Sequence, residues 1–306
     1  MKSKAGKTRK KKLAFVLGGG GARGALQVGA LRALLEAGYH PDLLVGTSIG
    51  AANAAFLATR GVSLENVVLL ADVYRHASEH NLLPSNFLWL SLRALLNRPN
   101  AQTIQKVKDF LIQHSVSPDF RFGDVRDVQL LIVATDINNA CKVVYGYDLD
   151  ELVINGLQAS TALPPWVVPI EQDGQMLIDG GVISNLPIET ALGNGVTEII
   201  ALDITDRRET NTTGYGFGSF FGKLSSTVQQ RQIELESSLA SAQQVVVHKI
   251  HLQSQAPVPI WDFSHWDSLI DEGYDITVDE ISKWRSGEKR ATLWQIVSGV
   301  YREITK

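Results

Sequence analysis

Two short candidate strands, LAFVL at 13–17 and DLLV at 42–45, each lead into a glycine-bracketed turn that opens directly into a helical stretch. The first turn holds four consecutive glycines, 18–21. The helix expected after it, from about Ala22 to Ala37, puts Leu26, Ala30, Leu31, Leu34 and Leu35 on one face and meets its stop at Gly38. The second turn is Gly46-Thr47-Ser48-Ile49-Gly50, opening an alanine-rich helix from Ile49 to Thr59. Strand, helix, strand, helix with links this short predicts an α/β fold on a parallel sheet. The glycine turns then sit at the carboxyl ends of two consecutive strands, where open α/β sheets hold their ligands.

Further strands are expected at 129–135, 142–146, 175–178, 197–203 and 245–251, and helices near 64–75, 86–97, 101–114, 152–162, 187–193 and 218–242. The stretch 86–97 (NFLWLSLRALLN) is apolar on nearly every side, which suits core or the wall of an acyl channel. Glycine-rich NTTGYGFGSF at 211–220 is expected to be mobile. No internal repeat or low-complexity linker divides the chain, so a single domain is expected over 13–306 behind a basic, disordered tail at 1–12.

Charge and cysteine content narrow the function classes. Residues 1–12 carry seven Lys or Arg and no acid, leaving the other 294 residues with 22 basic against 32 acidic side chains. A body of net −10 is not a nucleic-acid surface. The basic tail fits attraction to anionic lipid head groups, at about 1 kcal/mol per basic residue near such a surface. LAFVL is too short for a signal peptide, and no later run reaches the roughly 18 apolar residues of a membrane span. A lone cysteine, Cys141, excludes an internal disulfide framework and a cysteine-held structural zinc. The expected location is the cytoplasm, with peripheral contact at the inner membrane face through the tail.

The turn at 46–50 is a GxSxG placed between a strand and a helix, the setting of a nucleophile elbow that lifts Ser48 above the sheet. The bland alternative is a tight turn in which Ser48 caps the helix. Gly19, Gly21 and Gly24 also fit the dinucleotide spacing GxGxxG, but no carboxylate ends the second strand: Asp42 begins it. An oxyanion site explains the glycines better, since they expose backbone N–H groups while the helix N-terminus and Arg23 favour negative charge. A serine hydroxyl needs a base. Asp179 follows a short strand and precedes Gly180 and Gly181; His248, His251 and His265 come later, in the Ser-Asp-His order of α/β hydrolases, and are its rivals.

Taken together, GGGGARG, GTSIG and DGG resemble the patatin-like phospholipase family, near its neuropathy-target-esterase-related, bacterial stand-alone branch. The likeness runs through LLIVATDINNACKVV and ASTALPPWVVPIEQDGQMLIDGGVISNLPIETA to WDFSHWDSLIDEG, about residues 13 to 275. It implies a three-layer α/β/α sandwich and hydrolysis of fatty acyl esters in phospholipids, lysophospholipids or simpler lipids. It also implies a Ser48–Asp179 dyad without histidine, and an oxyanion site built by Gly19, Gly20, Gly21 and Arg23. No metal or organic cofactor is expected. The alternatives are an acyltransferase using the same dyad and a non-catalytic, regulatory lipid-binding protein of the same fold.

Overall fold

The computed structural model describes residues 11–80, 101–164, 166–208 and 217–304. The basic run at 1–10, the apolar stretch 86–97 and most of the glycine-rich segment after 210 lie outside these residues. Among the described residues eight strands form one sheet: β1 (Leu13–Leu17), β2 (Leu43–Thr47), β3 (Gln129–Asp136), β4 (Cys141–Tyr145), β5 (Ile170–Gln172), β6 (Gln175–Asp179), β7 (Glu198–Asp203) and β8 (Val246–His251). Their order is β5-β6-β3-β2-β1-β7-β8, with β4 also on β3. From β3 through β2, β1 and β7 to β8 every pairing is parallel. The other end of the sheet is antiparallel, β4 and β6 both pairing with β3 and β5 with β6.

Alternate strand residues feed two separate cores, because successive side chains on a strand point to opposite faces. Leu13, Phe15 and Leu17 of β1, with Leu44 of β2, pack under α1 (Gly24–Glu36), α2 (Ile49–Arg60) and α3 (Leu64–Glu79). Ala14, Val16, Leu43 and Val45 pack instead against α6 (Ile188–Leu192) and α7 (Phe217–Ala242). A sheet buried on both faces needs apolar residues at every position, hence the unbroken LAFVL. The result is the three-layer α/β/α arrangement. Between these elements come α4 (Ala101–Phe110), continued by a π-helical turn to Ser115, and α5 (Val153–Ser160).

Three features differ from the sequence reading. Lys11 and Lys12, assigned above to the tail, are fastened to the fold: Lys11 pairs with Glu198 at 2.6 Å, and the Lys12 N–H donates to Thr197 Oγ1 at 2.9 Å. Strand β5 and the long helix α8 (Trp266–Ile304) carry no expectation from sequence. Helix α8 crosses α1 backbone to backbone, since a Cβ on Gly29 would stand 1.9 Å from Ile270 O and one on Gly273 2.0 Å from Leu26 O. No described helix is long and apolar enough to cross a membrane.

Candidate functional site

The pairing register explains how two distant motifs meet. Ile132 of β3 pairs with Gly46 and with Tyr145, so β2 and β4 flank β3 on opposite sides. Ala134 pairs with Val143 and with Asp179, which puts β6 on the same side of β3 as β2. Strand β2 ends at Thr47 opposite Val133, and β6, running the other way, ends at Asp179 opposite Ala134. The two strands meet head-on in one slot of the sheet. Asp179 thus reaches Ser48 from an antiparallel strand inside the sheet, and is itself the last residue of that strand.

Ser48 leaves β2 with φ 56° and ψ −125°, a backbone conformation that costs a non-glycine residue about 1–3 kcal/mol. Its side chain makes no capping hydrogen bond to α2, so the capping alternative does not describe this serine. The elbow can be this sharp because its glycines touch backbone: a Cβ on Gly46 would lie 2.4 Å from Gly50 O, and one on Gly50 2.2 Å from Leu17 O. Ser160, buried at the end of α5, holds the elbow from below. Its Oγ accepts from the Ser48 N–H at 2.8 Å and donates to Val133 O at 2.6 Å. Ser160→Ala leaves both backbone groups unpaired in the interior, at about 1–3 kcal/mol each. The expected result is a destabilised protein in denaturant titration whose kcat falls at least about tenfold, with KM changed far less.

Asp179 is 3% exposed. Burial raises its carboxyl pKa to about 6, against the lowering effects of the neighbouring Ser48 hydroxyl and the Gly181 N–H. That N–H donates to Oδ1 at 2.7 Å, while Oδ2 is buried without a hydrogen-bond partner. The Ser48 hydroxyl therefore lies near enough to act on the carboxyl without completing a hydrogen bond to it. Gly180 makes room where the strands meet, since a Cβ there would come within 2.3 Å of Val133 O.

The glycine loop lies directly against Ser48: a Cβ on Gly19 would be 3.1 Å from Ser48 Cβ. The Gly19 N–H, however, donates to Asn185 O at 3.0 Å. Gly19 therefore shapes the site instead of offering its N–H to a ligand. The N–H groups of Gly20 and Gly21 donate to no described residue, and Gly21 adopts φ 58° beneath Ile260 O. Arg23 is buried, with its Nε donating to Gly20 O at 3.3 Å, so it braces the loop that it charges.

Sequence reasoning missed the polar groups that fix this loop. Asn185 Nδ2 donates to Gly19 O at 3.3 Å, tying the glycine loop to the DGG turn. Gln27 Nε2 donates to Gly18 O at 2.8 Å, its Oε1 accepts from Asn53 Nδ2 at 2.9 Å, and Tyr74 Oη donates to Asn53 Oδ1 at 2.9 Å. This buried chain links α1, α2 and α3 under the site. The three rival histidines lie elsewhere, paired with other carboxylates: His248 with Glu198 at 3.2 Å, His251 with Asp203 at 3.4 Å and His265 with Asp262 at 3.8 Å. Among the described residues no cluster of three or more His, Cys, Asp or Glu side chains is placed to hold a metal ion.

Ser48, Asp179, Gly19, Gly20, Gly21 and Arg23 all line one cavity of about 780 Å³. On the α2–α4 side its wall is apolar, with Leu70, Val73, Phe110 and Leu111, joined by Trp166 and Phe263. Such a cavity suits an apolar ligand of lipid size.

A strained serine and a buried carboxylate thus line one cavity at the carboxyl ends of the parallel strands of an α/β/α protein. Comparison with known proteins gives the family. The model of the patatin-like phospholipase family matches residues 15–192, and the chain belongs to that family. Mouse patatin-like phospholipase domain-containing protein 7 is 33% identical over 207 residues, covering 67% of this chain and 14% of that protein. Human patatin-like phospholipase domain-containing protein 6 is 29% identical over 301 residues, 90% of this chain and 20% of that protein. The chain thus spans a small part of the curated relatives it matches. Among solved structures, VipD from Legionella pneumophila aligns with 90% of this chain and 67% of its own, at 15% identity and a TM-score of 0.48.

Proposed function

We propose that the chain is a serine acyl hydrolase that cleaves fatty acyl esters of lipids in the manner of a phospholipase A or lysophospholipase. The observation that carries this reading is the head-on meeting of β2 and β6, which sets a strained serine beside a buried carboxylate with an unpartnered oxygen. Asp179 Oδ2 takes the proton of the Ser48 hydroxyl as Oγ attacks the ester carbonyl. The tetrahedral oxyanion is held by the N–H groups of Gly20 and Gly21, with Arg23 adding positive charge. Collapse expels the alcohol, which takes the proton from Asp179 and leaves an acyl-Ser48. Water then attacks the acyl group with Asp179 again as base, releasing the fatty acid. A carboxylate near its ordinary pKa of about 3.9 is a poor base toward an alcohol, and burial improves it.

A fluorophosphonate probe tests the reading. Covalent labelling is expected at Ser48 and lost in Ser48→Ala, together with hydrolysis of a short-chain nitrophenyl ester. The rate should fall as pH drops through about 6, because protonated Asp179 cannot accept the serine proton. Labelling that survives Ser48→Ala would place the nucleophile elsewhere.

A further inference from the structure

The Ser48–Asp179 pair lies across a seam that backbone pairing does not close. Thr47 and Asp179 end strands that face each other in one slot of the sheet, and each strand is bonded to β3. Among the described residues no backbone hydrogen bond joins the two strand ends to each other. Their separation therefore depends on groups outside the sheet.

Ser184, 1% exposed, bridges the seam. Its N–H donates to Gly180 O at 2.9 Å, and its O accepts from Thr47 Oγ1 at 2.8 Å. One residue thus touches the chain neighbours of both Ser48 and Asp179. Its third contact leads out to α7, where Ser184 Oγ donates to Glu236 Oε1 at 2.5 Å. The other carboxylate oxygen, Oε2, accepts from the Glu189 N–H at 2.7 Å, at the start of α6. Glu236 is 9% exposed, and a buried carboxylate is costly unless its oxygens are satisfied, as both are here. About one helical turn earlier, Gln232 Nε2 donates to Val182 O at 2.7 Å, a second clasp from α7 on the same turn.

We propose that Glu236 is a positioning residue: through Ser184 it holds Thr47 against Gly180 and so sets the reach of Ser48 to Asp179. It touches no reacting atom. Ser226 and Gln229 of the same helix line the cavity and Glu236 does not, so a change at Glu236 leaves the substrate's contacts in place. The role rests on the acyl-hydrolase reading for the reaction, whereas the clamp itself can be followed without turnover.

With a short-chain nitrophenyl ester, Glu236→Ala is expected to lower kcat at least about tenfold with KM within about twofold of wild type, since an ångström of misplacement costs on the order of 10²-fold. Glu236→Gln should recover most of that loss, because its amide can accept from the Glu189 N–H and donate to Ser184 Oγ. Ser184→Ala leaves Glu236 on Glu189 and should show the same split even where Glu236→Ala fails to fold. In a Thr47→Val background Glu236→Ala should lower kcat little further, the link it acts through being already cut. Ile281→Ala, in the buried face of α8, is the comparison for a purely structural loss and should keep its kcat below its thermal midpoint. Amide hydrogen exchange at Ser184 should quicken in Glu236→Ala while that at Val45 stays slow. Unchanged kcat in both Glu236→Ala and Ser184→Ala, full additivity with Thr47→Val, an equal loss in Ile281→Ala, or unchanged exchange at Ser184 would each overturn the proposal. A wild-type chain that hydrolyses no ester, with Ser184 exchange still responding to Glu236→Ala, would refute the hydrolase reading and leave the clamp standing.

Discussion

Asp179→Asn is expected to remove ester hydrolysis, by on the order of 10³-fold or more, and at the same time to stabilise the protein above neutral pH. The loss follows from the proposed role: asparagine keeps the shape and the bond from Gly181 but cannot accept the serine proton, and a positioned base is worth roughly 10²–10⁴-fold. The gain follows from burial. The carboxyl has a folded pKa of about 6 against an ordinary 3.8, so the native state holds its proton more tightly than the unfolded chain does. Below both values the group is neutral in either state and costs nothing. As pH rises through 3.8 to 6, the native state must ionise a group at 3% exposure, and stability falls. Above pH 6 the full cost is present, about 3 kcal/mol at 1.36 kcal/mol per pKa unit. Urea denaturation at pH 4 and pH 8 should therefore show wild type and variant alike at the lower pH and the variant ahead at the higher. A variant that retains a tenth of the rate would move the base to another group.

Gly29→Val is expected to unfold the protein or cost more than about 4 kcal/mol, read as loss of the cooperative thermal transition. Helix propensity alone favours replacing a mid-helix glycine, by about 1 kcal/mol for alanine. Packing decides otherwise, because the new Cβ would stand 1.9 Å from Ile270 O and 2.6 Å from Tyr274 N, backbone atoms of α8 that cannot turn aside. Gly273 makes the reciprocal contact with Leu26 O at 2.0 Å, so the helices must separate whichever glycine is filled. Separation displaces α1, whose N-terminus follows directly on Arg23 and the glycine loop. Gly193→Ala is the control: with φ −59° and nothing nearer than Thr190 O at 3.6 Å, it should be neutral or slightly stabilising.

The parts of the site readable in the sequence are those written in contiguous residues. LAFVL, four glycines and an alanine- and leucine-rich helix are a strand, a turn and a helix by local sterics and burial pattern. The same holds for β2, Ser48 and α2, which is why the elbow was legible. Asp179 was visible only as a carboxylate after a short strand beside two glycines, a pattern that equally fits an ordinary turn. Ser160, Asn185 and Gln27 were not legible at all, because a polar residue in a helix or loop gives no sign of a partner 112 or 166 positions away or, for Gln27, of Asn53 on the next helix.

Local residue patterns are enough for the α/β class, the parallel pairing of β1 with β2, and the placing of the glycine loop and Ser48 at neighbouring strand ends. These follow from short-range rules that act on adjacent residues. The folded packing is what makes β6 enter antiparallel and end against β2, gives the Gly19 N–H to Asn185, and locks α8 to α1 through paired glycines. Long-range register and close packing set each of these, and neither is encoded in any local run of residues. The pKa of Asp179 belongs to the same category: its chemistry depends on the water that the surrounding chain excludes.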